Sequence, residues 1–378
     1  MAGIYIHYPY CQKKCFYCDF FSVTDKSSDN KFIAALLKEI ENKTVCQREM
    51  PPADTIYLGG GTPSLLSVKN LEKVLNKLHN NFNIVSNAEI TLEANPGTLT
   101  KQKINEFLTL GINRLSIGIQ SFNNDELIFL QRIHNAATAK QAINDAIDAG
   151  FENISIDLIF SIPNQTKELL KYSLETAVDF PIQHISAYSL IFEPQTPLYD
   201  AMEKGEIIPM PEDDDSDLYA YLIEFLGENG FEQYEVSNFA RNGNKSKHNL
   251  NYWNNGEFYA FGPSAAGYVG GYRYKNFSDI DKYIEYIDNN ESPEEYREEI
   301  TSEKVQQEQI FLPLRAEGIS FEIINSVNDE KKNTKAMNFI KELMDHNLMI
   351  SKDNRFKLTS KGYMICDEIT ARLMNIIF

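Results

Sequence analysis

Three cysteines near the start of the chain have the residue type and spacing that most clearly point to chemistry. Cys11, Cys15 and Cys18 form a CxxxCxxC motif directly after a short apolar stretch. Clustered cysteines in a large protein without secretion signals are more often metal ligands or catalytic groups than disulfide partners. Three thiolates can hold three irons of a cuboidal iron–sulfur cluster and leave the fourth iron open. The alternative is a structural zinc site with His7 or a distant group as the fourth ligand.

The composition limits where this chemistry takes place. The 378 residues are 43% hydrophobic with a formal charge of −18, so nucleic acids and anionic lipid surfaces are not expected partners. No apolar run approaches the roughly 18–20 residues of a membrane-spanning helix, and the N-terminus lacks signal-peptide features. We therefore expect a cytoplasmic protein that starts at Met1 or Ala2. Cys46 and Cys366 are isolated in the sequence, and we expect them to be structural or incidental.

The elements that must position the cysteines alternate between strands and helices in the first two hundred residues. Predicted strands cover Ile4–His7, Thr55–Leu58, Glu89–Leu92, Arg114–Ile117, Ile154–Ile159 and His184–Leu190. Predicted amphipathic helices cover Lys31–Asn42, Val68–His79, Lys101–Thr109, Ala136–Ala149 and Glu168–Val178. This alternation predicts an α/β fold of parallel βαβ units. Six strands favour a partial (β/α)6 barrel, with an open doubly wound sheet as the alternative.

The alternation ends near residue 205, so we divide the chain into a barrel core at 1–205, an extension at 206–290 and an accessory segment at 291–378. In the extension, an acidic run at 211–217 predicts a solvated helix start. Strands are predicted at Tyr234–Ser237 and Tyr272–Lys275. From about Pro293 we expect helices, followed by a hairpin of Leu348–Ile350 and Phe356–Leu358 and a helix from Ser360. This order favours a small winged-helix-like domain.

Unusual polar residues follow the predicted strands, and in a barrel the carboxyl ends of the strands carry the function. The second strand runs into Gly59-Gly60-Gly61-Thr62-Pro63, whose glycines allow the backbone to approach a ligand closely. Glu93 and Gln120 end the third and fourth strands, and Asp157 lies within the fifth. A carboxylate in an apolar strand requires partners. For Asp157, the candidates are Arg132 and the ribose hydroxyls of a cofactor.

The CxxxCxxC spacing resembles that of the radical S-adenosylmethionine (SAM) superfamily. The series YIHYPYCQKKCFYCDF, YLGGGTPS, LEANPG, SIGIQSF, DLIFSIPNQT and GFEQYEVSNFA resembles its HemN/HemW branch. The resemblance implies a 4Fe–4S cluster held by Cys11, Cys15 and Cys18. It also implies SAM contacts, namely Tyr5, Tyr17, Gly60, Gly61, Thr62, Glu93, Gln120, Arg132 and Asp157. Ser161 stands where the family usually has glycine, so we expect a less free backbone φ in that loop.

Within this branch, the sequence resembles the HemW-type haem chaperones more than the oxygen-independent coproporphyrinogen III dehydrogenases. Phe20 occupies the position of the additional dehydrogenase cysteine, and only ten residues precede Cys11. His248, Tyr252 and Trp253 match the HNxxYW motif associated with haem, and histidine is a suitable axial ligand. The resemblance implies haem, a haem-acceptor protein and an electron donor as partners, and a homodimer is compatible with it. The alternatives are the dehydrogenase itself and a zinc-stabilised binding protein.

Overall fold

The structure is a computed structural model that describes residues 1–45, 51–327 and 329–378, so Cys46 lies outside the described residues. The strands are β1 (Ala2–Tyr8), β2 (Ala53–Gly60), β3 (Ile84–Ala94), β4 (Arg114–Gln120), β5 (Ile154–Phe160), β6 (His184–Ser189), β7 (Glu232–Gln233), β8 (Asn238–Ala240), β9 (Phe258–Phe261), β10 (Ala266–Val269), β11 (Tyr272–Asn276), β12 (Glu294–Glu299), β13 (Ile319–Ser320), β14 (Met349–Lys352) and β15 (Arg355–Leu358). The helices are α1 (Asp29–Val45), α2 (Val68–Asn81), α3 (Lys101–Thr109), α4 (Asn124–Phe129), α5 (Ala136–Ala149), α6 (Lys167–Val178), α7 (Pro197–Glu203), α8 (Glu212–Glu228), α9 (Lys247–Trp253), α10 (Ile280–Asp288), α11 (Ser302–Phe311), α12 (Phe321–Asn325), α13 (Glu330–Asp345), α14 (Ser360–Met364) and α15 (Cys366–Ile377).

The first six strands are parallel neighbours in chain order, which confirms the partial (β/α)6 barrel. They occupy the middle of a large sheet with the order β12-β11-β10-β9-β1-β2-β3-β4-β5-β6-β8-β7. A doubly wound sheet reverses its strand order at a switch point. The sequential order of β1 to β6 therefore excludes that alternative. Among the described strands, β1 pairs with β9 rather than with β6, so the barrel is not closed.

Alternation along the strands separates an apolar core from a polar interior. In β1, Ile4 and Ile6 belong to the main apolar core, which also contains helix residues such as Phe32. Between them, the Tyr5 ring stacks on Tyr57 of β2 on the opposite face. Full burial of each large apolar side chain stabilises the fold by about 1.5–3 kcal/mol. Because Ile4 and Ile6 face the helices and Tyr5 faces away from them, the helices cover one face of the sheet and the other face lines the interior of the barrel.

The extension adds strands to both edges of the barrel sheet. The strand predicted at Tyr234–Ser237 is wrong: this segment links β7 to β8, and the Tyr234 N–H donates to the Asn238 carbonyl at 3.1 Å. The helix expected from Pro293 is also wrong at its start. There, Glu294–Glu299 forms β12 and pairs antiparallel with β11.

The acidic run at the start of α8 is only partly a solvated helix start. Asp215 is half-buried and accepts hydrogen bonds from the hydroxyls of Ser161 and Ser189, the latter at 2.8 Å. Ser161 has a φ of +58°, which lies in the left-handed region that favours glycine. These bonds attach α8 to the ends of β5 and β6.

The C-terminal segment has a second apolar core around Leu314, Phe339 and Leu373, to which Cys366 belongs. Its sheet has the order β13-β15-β14 and includes the predicted hairpin. The final helix is interrupted at Ile365 and forms α14 and α15. The domain boundaries near residues 205 and 290 remain a proposal. Among the described residues, no helix combines the length and apolar character needed to cross a membrane.

Candidate functional site

A cavity of about 500 Å³ opens at the carboxyl ends of the barrel strands and extends into the barrel. This is a volume typical of small-molecule sites. The predicted residues that line it are Cys11, Cys15, Tyr17, Cys18, Gly60, Gly61, Thr62, Glu93, Gln120, Arg132 and Asp157. These residues are spread from the first strand to the fifth. The fold therefore brings nearly all the residues predicted for the cluster and SAM to one chamber.

The cysteine motif forms a loop at this chamber, with all three thiols free and half-buried. Thr62 Oγ1 donates to Cys11 Sγ at 3.3 Å, and Arg132 Nη1 donates to Cys15 Sγ at 3.2 Å. Hydrogen bonds to cysteine sulfur are among the groups that tune iron–sulfur clusters. The three sulfur ligands and these donors fit a cluster that has one iron without a protein ligand.

His7 is not available as the fourth ligand of a zinc site. Its Nε2 bonds the Phe21 carbonyl at 2.9 Å, and its Nδ1 bonds the Tyr5 hydroxyl at 3.0 Å. Burial lowers the pKa of His7 to about 4, so the ring is neutral and has one donor and one acceptor nitrogen. Both nitrogens are used, which removes His7 from the zinc alternative.

The glycine loop packs directly against this part of the structure. Gly60 has a φ of +105°, and a Cβ there would lie 2.6 Å from the His7 ring. A Cβ on Gly61 would lie 2.8 Å from the Tyr10 carbonyl oxygen. Neither position has room for a side chain, so the backbone forms the chamber wall and can contact a ligand directly.

Glu93 is held in a fixed orientation in the chamber. The Tyr57 hydroxyl donates to Glu93 Oε1 at 2.7 Å, and the Gly60 N–H donates to Oε2 at 3.2 Å. Burial raises the pKa of Glu93 to about 7, and the hydrogen bond from Tyr57 opposes this rise. Near neutral pH the carboxyl group can therefore either accept a hydrogen bond from a ligand amino group or carry a proton.

Arg132 and Asp157 do not form the ion pair suggested as one possibility by the sequence. Arg132 Nη2 donates to the Gly118 carbonyl at 2.8 Å, and its buried Nε has no hydrogen-bond partner in the part of the chain that the structure describes. Asp157 accepts a hydrogen bond from Ser116 Oγ at 3.1 Å, and burial raises its pKa. A buried donor without a partner and a carboxyl group without a direct ion pair both leave room for ligand contacts.

The predicted haem residues lie at the opposite end of the barrel. His248 is 1% exposed, and its ring nitrogens bond Thr55 Oγ1 and the Tyr252 hydroxyl, each at 2.7 Å. Burial lowers the pKa of His248 to about 3. Thr55 lies near the start of β2 and Gly60 ends it, so the two positions are roughly 16 Å apart along the strand. The HNxxYW helix thus closes the amino end of the barrel.

The remaining predicted residues pack beside these two regions. Tyr5 lies behind the chamber wall, stacked on Tyr57. Trp253 is half-buried and hydrogen-bonds the carboxyl group of Glu235, whose pKa burial raises to about 7. Neither Tyr5, His248, Tyr252 nor Trp253 lines the cavity.

Several cavity residues were not predicted from the sequence. They are Tyr57, Arg114, Ser116, Ser186 and Tyr188 on the strands, Ser246 and Asn249 at α9, and Lys13, Lys14 and Ile191 on loops. The strand residues could have been predicted from the alternation of side chains along a strand. In β4, for example, Ser116 and Gly118 share a face with Gln120, which was predicted to line the site. The α9 residues have no comparable local signal.

The chain is similar to proteins of known family. The family model described as "Radical SAM superfamily" matches residues 5–177. The chain is 34% identical to "Heme chaperone HemW" of Bacillus subtilis over 98% of both chains. It is 35% identical to the protein of that name from Lactococcus lactis, over 98% of this chain and 96% of that one. The structure of coproporphyrinogen III oxidase (HemN) from Escherichia coli superposes with a TM-score of 0.83 over 98% of this chain and 90% of that one. The sequence identity to HemN is 20%, so this likeness shows the fold alone.

Proposed function

The chain belongs to the HemW family of radical SAM proteins, and from this premise we propose that it is a haem chaperone. In this proposal the protein holds a 4Fe–4S cluster and SAM, binds haem and delivers it to an acceptor protein. The full-length similarity to proteins named heme chaperones carries the proposal. The cavity supports it, because its cysteines and strand-end residues are those that such cofactors require.

The residues of the cavity have distinct tasks in this proposal. Cys11, Cys15 and Cys18 would hold the cluster, which when bound supplies an electron and an open iron position for SAM. The backbone at Gly60 and the Glu93 carboxyl group would orient the amino group of SAM. Asp157 would accept hydrogen bonds from the ribose hydroxyls. Arg132 holds Cys15 through its sulfur, and the geometry of that contact is already present.

We propose His248, Tyr252 and Trp253 as haem contacts on the basis of their motif. For His248 to ligate haem iron, either Thr55 or Tyr252 must give up its hydrogen bond to the ring. The helix α9 would have to move from the end of the barrel for the iron to approach. Haem binding at this motif therefore predicts a movement of α9. If haem instead binds at the mouth of the cavity, no such movement is expected.

The proposed function is tested by an anaerobic experiment on reconstituted protein. Iron and labile sulfide are measured first, followed by haem titration, haem transfer to an apo-haemoprotein and incubation with coproporphyrinogen III. We expect cluster formation, haem binding and transfer, with no multiple-turnover formation of protoporphyrinogen IX. A protein carrying alanine at the three cysteines of the motif is the control for cluster dependence. Turnover of coproporphyrinogen without haem transfer would refute the chaperone proposal.

A further inference from the structure

We propose that Arg114 forms a carboxylate-binding subsite deep in the cavity, and that the carboxylate is a propionate of the bound tetrapyrrole. This inference rests on the proposed function, because that function supplies the haem. Arg114 begins β4, lines the cavity and is only 2% exposed. It is therefore a buried cation that faces a ligand-sized space.

The guanidinium of Arg114 forms no direct ion pair with the described residues, although its charge interacts with that of Asp157. Its hydrogen bond within the described part of the chain runs from Nη1 to Asn153 Oδ1 at 2.8 Å, and Asn153 is neutral. No carboxylate oxygen of the described residues lies within 4.0 Å of an Arg114 nitrogen, the distance limit for an ion pair. A buried charge without a partner is costly, and a guanidinium offers five N–H donors. An anionic ligand group would satisfy both the charge and the free donors.

The acids near this end of the barrel are engaged elsewhere. Asp157 accepts hydrogen bonds from Ser116 and Ser186. Burial raises its pKa, and these hydrogen bonds and the charges of Arg114 and Arg132 oppose the rise. Glu89 Oε1 accepts hydrogen bonds from the backbone N–H groups of Lys247 and His248, at 3.0 and 3.3 Å, at the start of α9. Neither carboxyl group forms an ion pair with Arg114, so its N–H donors that face the cavity remain available to a ligand.

Polar side chains around Arg114 complete the subsite. Ser116, Ser186, Ser246 and Asn249 line the same cavity. Ser116 lies two residues along β4 from Arg114 and on the same face, and Ser246 and Asn249 approach from α9. Hydroxyl and amide groups can add hydrogen bonds to a carboxylate held by the guanidinium, and guanidinium–carboxylate contacts are often bidentate.

The position of Arg114 favours a propionate over the carboxylate of SAM. Arg114 and Gln120 are at opposite ends of β4, roughly 20 Å apart along the strand. Among the residues proposed to hold SAM, Gln120 is at the far end, whereas Glu93 lies opposite Ser116 and Asp157 opposite Gly118, about midway along β4. The carboxylate of SAM is on the same carbon as its amino group, so a SAM molecule whose amino group is held at Gly60 and Glu93 cannot present that carboxylate to Arg114 as well. A second ligand with its own carboxylates can, and haem has two propionates.

The experiment compares wild type with Arg114→Met, in which a side chain of similar length loses the charge. The probes are haem, haem dimethyl ester and SAM, titrated into the anaerobically reconstituted protein. We expect Arg114→Met to weaken haem binding about ten- to a hundredfold, the loss of a charge-assisted hydrogen-bonding pair. Binding of the ester and of SAM should be equal in both proteins. Arg241→Met is the matched control, because Arg241 bonds the Asn229 carbonyl away from the cavity.

Unfolding by urea in the absence of ligands separates a binding role from a structural one. Because methionine removes a costly buried charge but also the hydrogen bond to Asn153, we expect the urea midpoint of Arg114→Met to stay close to that of wild type. A destabilised variant that loses haem and ester equally would overturn the subsite. Weaker SAM binding alone would assign the carboxylate to SAM and overturn the propionate. Unchanged haem binding would overturn the Arg114 assignment while leaving the chaperone function intact, whereas a wild type that binds no haem would refute both.

Discussion

Replacing His248 with alanine tests whether this residue is a fixed part of the barrel or a free ligand. The substitution removes two hydrogen bonds of 2.7 Å, to Thr55 and Tyr252. It also removes a ring that stacks on Tyr57 with centroids 5.0 Å apart. Gly3 lies against the same ring, since a Cβ there would be 3.0 Å from His248 Cε1. The alanine variant therefore leaves both unpaired polar groups and an empty volume.

The size of the effect follows from these contacts. Each buried polar group that loses its partner costs about 1–3 kcal/mol, and a buried ring replaced by alanine leaves a cavity with its own cost. We expect the free energy of unfolding of His248→Ala to fall by about 3–5 kcal/mol. This is a large part of the roughly 5–15 kcal/mol that stabilises a typical domain.

The assay is urea unfolding of the protein without cluster, SAM or haem, followed by circular dichroism. His79→Ala is the control, because His79 is exposed in the last turn of α2 and its replacement should change stability by less than about 0.5 kcal/mol. The haem Soret spectrum is recorded for the same variants. A His248→Ala protein as stable as wild type, but with an altered Soret band, would show that the imidazole is free for iron and refute the packing described here.

Three further predictions concern the chamber. Alanine at any cysteine of the CxxxCxxC motif should abolish the charge-transfer absorbance of the reconstituted protein, whereas Cys366→Ala, in the second core, should retain it. Gly60→Ala combines a φ of +105° with a contact of 2.6 Å to the His7 ring, so we expect a loss of about 1–3 kcal/mol in stability and weaker SAM binding by calorimetry. Normal SAM affinity would contradict the proposed role of this loop. Because burial raises the pKa of Glu93 from 4.5 to about 7, the folded state binds a proton more tightly than the unfolded state, and this stabilisation is lost as pH rises from 4.5 through 7. Glutamine does not titrate, so the free energy of unfolding of Glu93→Gln relative to that of wild type should increase over this pH range, by at most about 3 kcal/mol. A stability difference between the two proteins that does not change with pH would show that Glu93 is not buried as described.

The parts of the fold that the sequence predicts are those in which local pattern and tertiary packing agree. β1 to β6 are covered by helices and are rich in apolar and β-branched residues, so the βαβ periodicity is visible. Glu294–Glu299 has no apolar stripe, because it forms an edge strand whose pairing partners in β11 are 18 to 27 positions away in the chain. The segment at 234–237 contains Tyr and Val but turns between two short strands. Its conformation depends on the pairing of β8 with β6, which is a distant contact.

The candidate site shows the same division. The strand-end motifs identify Gly60, Glu93 and Asp157 because each interrupts or ends an apolar strand. The sequence does not indicate that Arg132 bonds Cys15 instead of Asp157, or that Thr55 and Tyr252 occupy both nitrogens of His248. These contacts join segments more than a hundred residues apart or depend on ring orientation, and residue type alone does not specify them.

The position of β1 in the sheet has a consequence for synthesis of the protein. This strand pairs with β2 on one side and, through Gly3–Ile6, with Phe258–Phe261 of β9 on the other. After β2 has left the ribosome, roughly 200 more residues must be added before β9 exists, which takes on the order of 10–40 s at about 5–20 residues per second. During that interval the apolar first strand of the nascent chain has an open edge, the kind of surface that pairs with other chains. The cell must therefore protect this edge, or keep the nascent barrel dilute, until the extension has been translated.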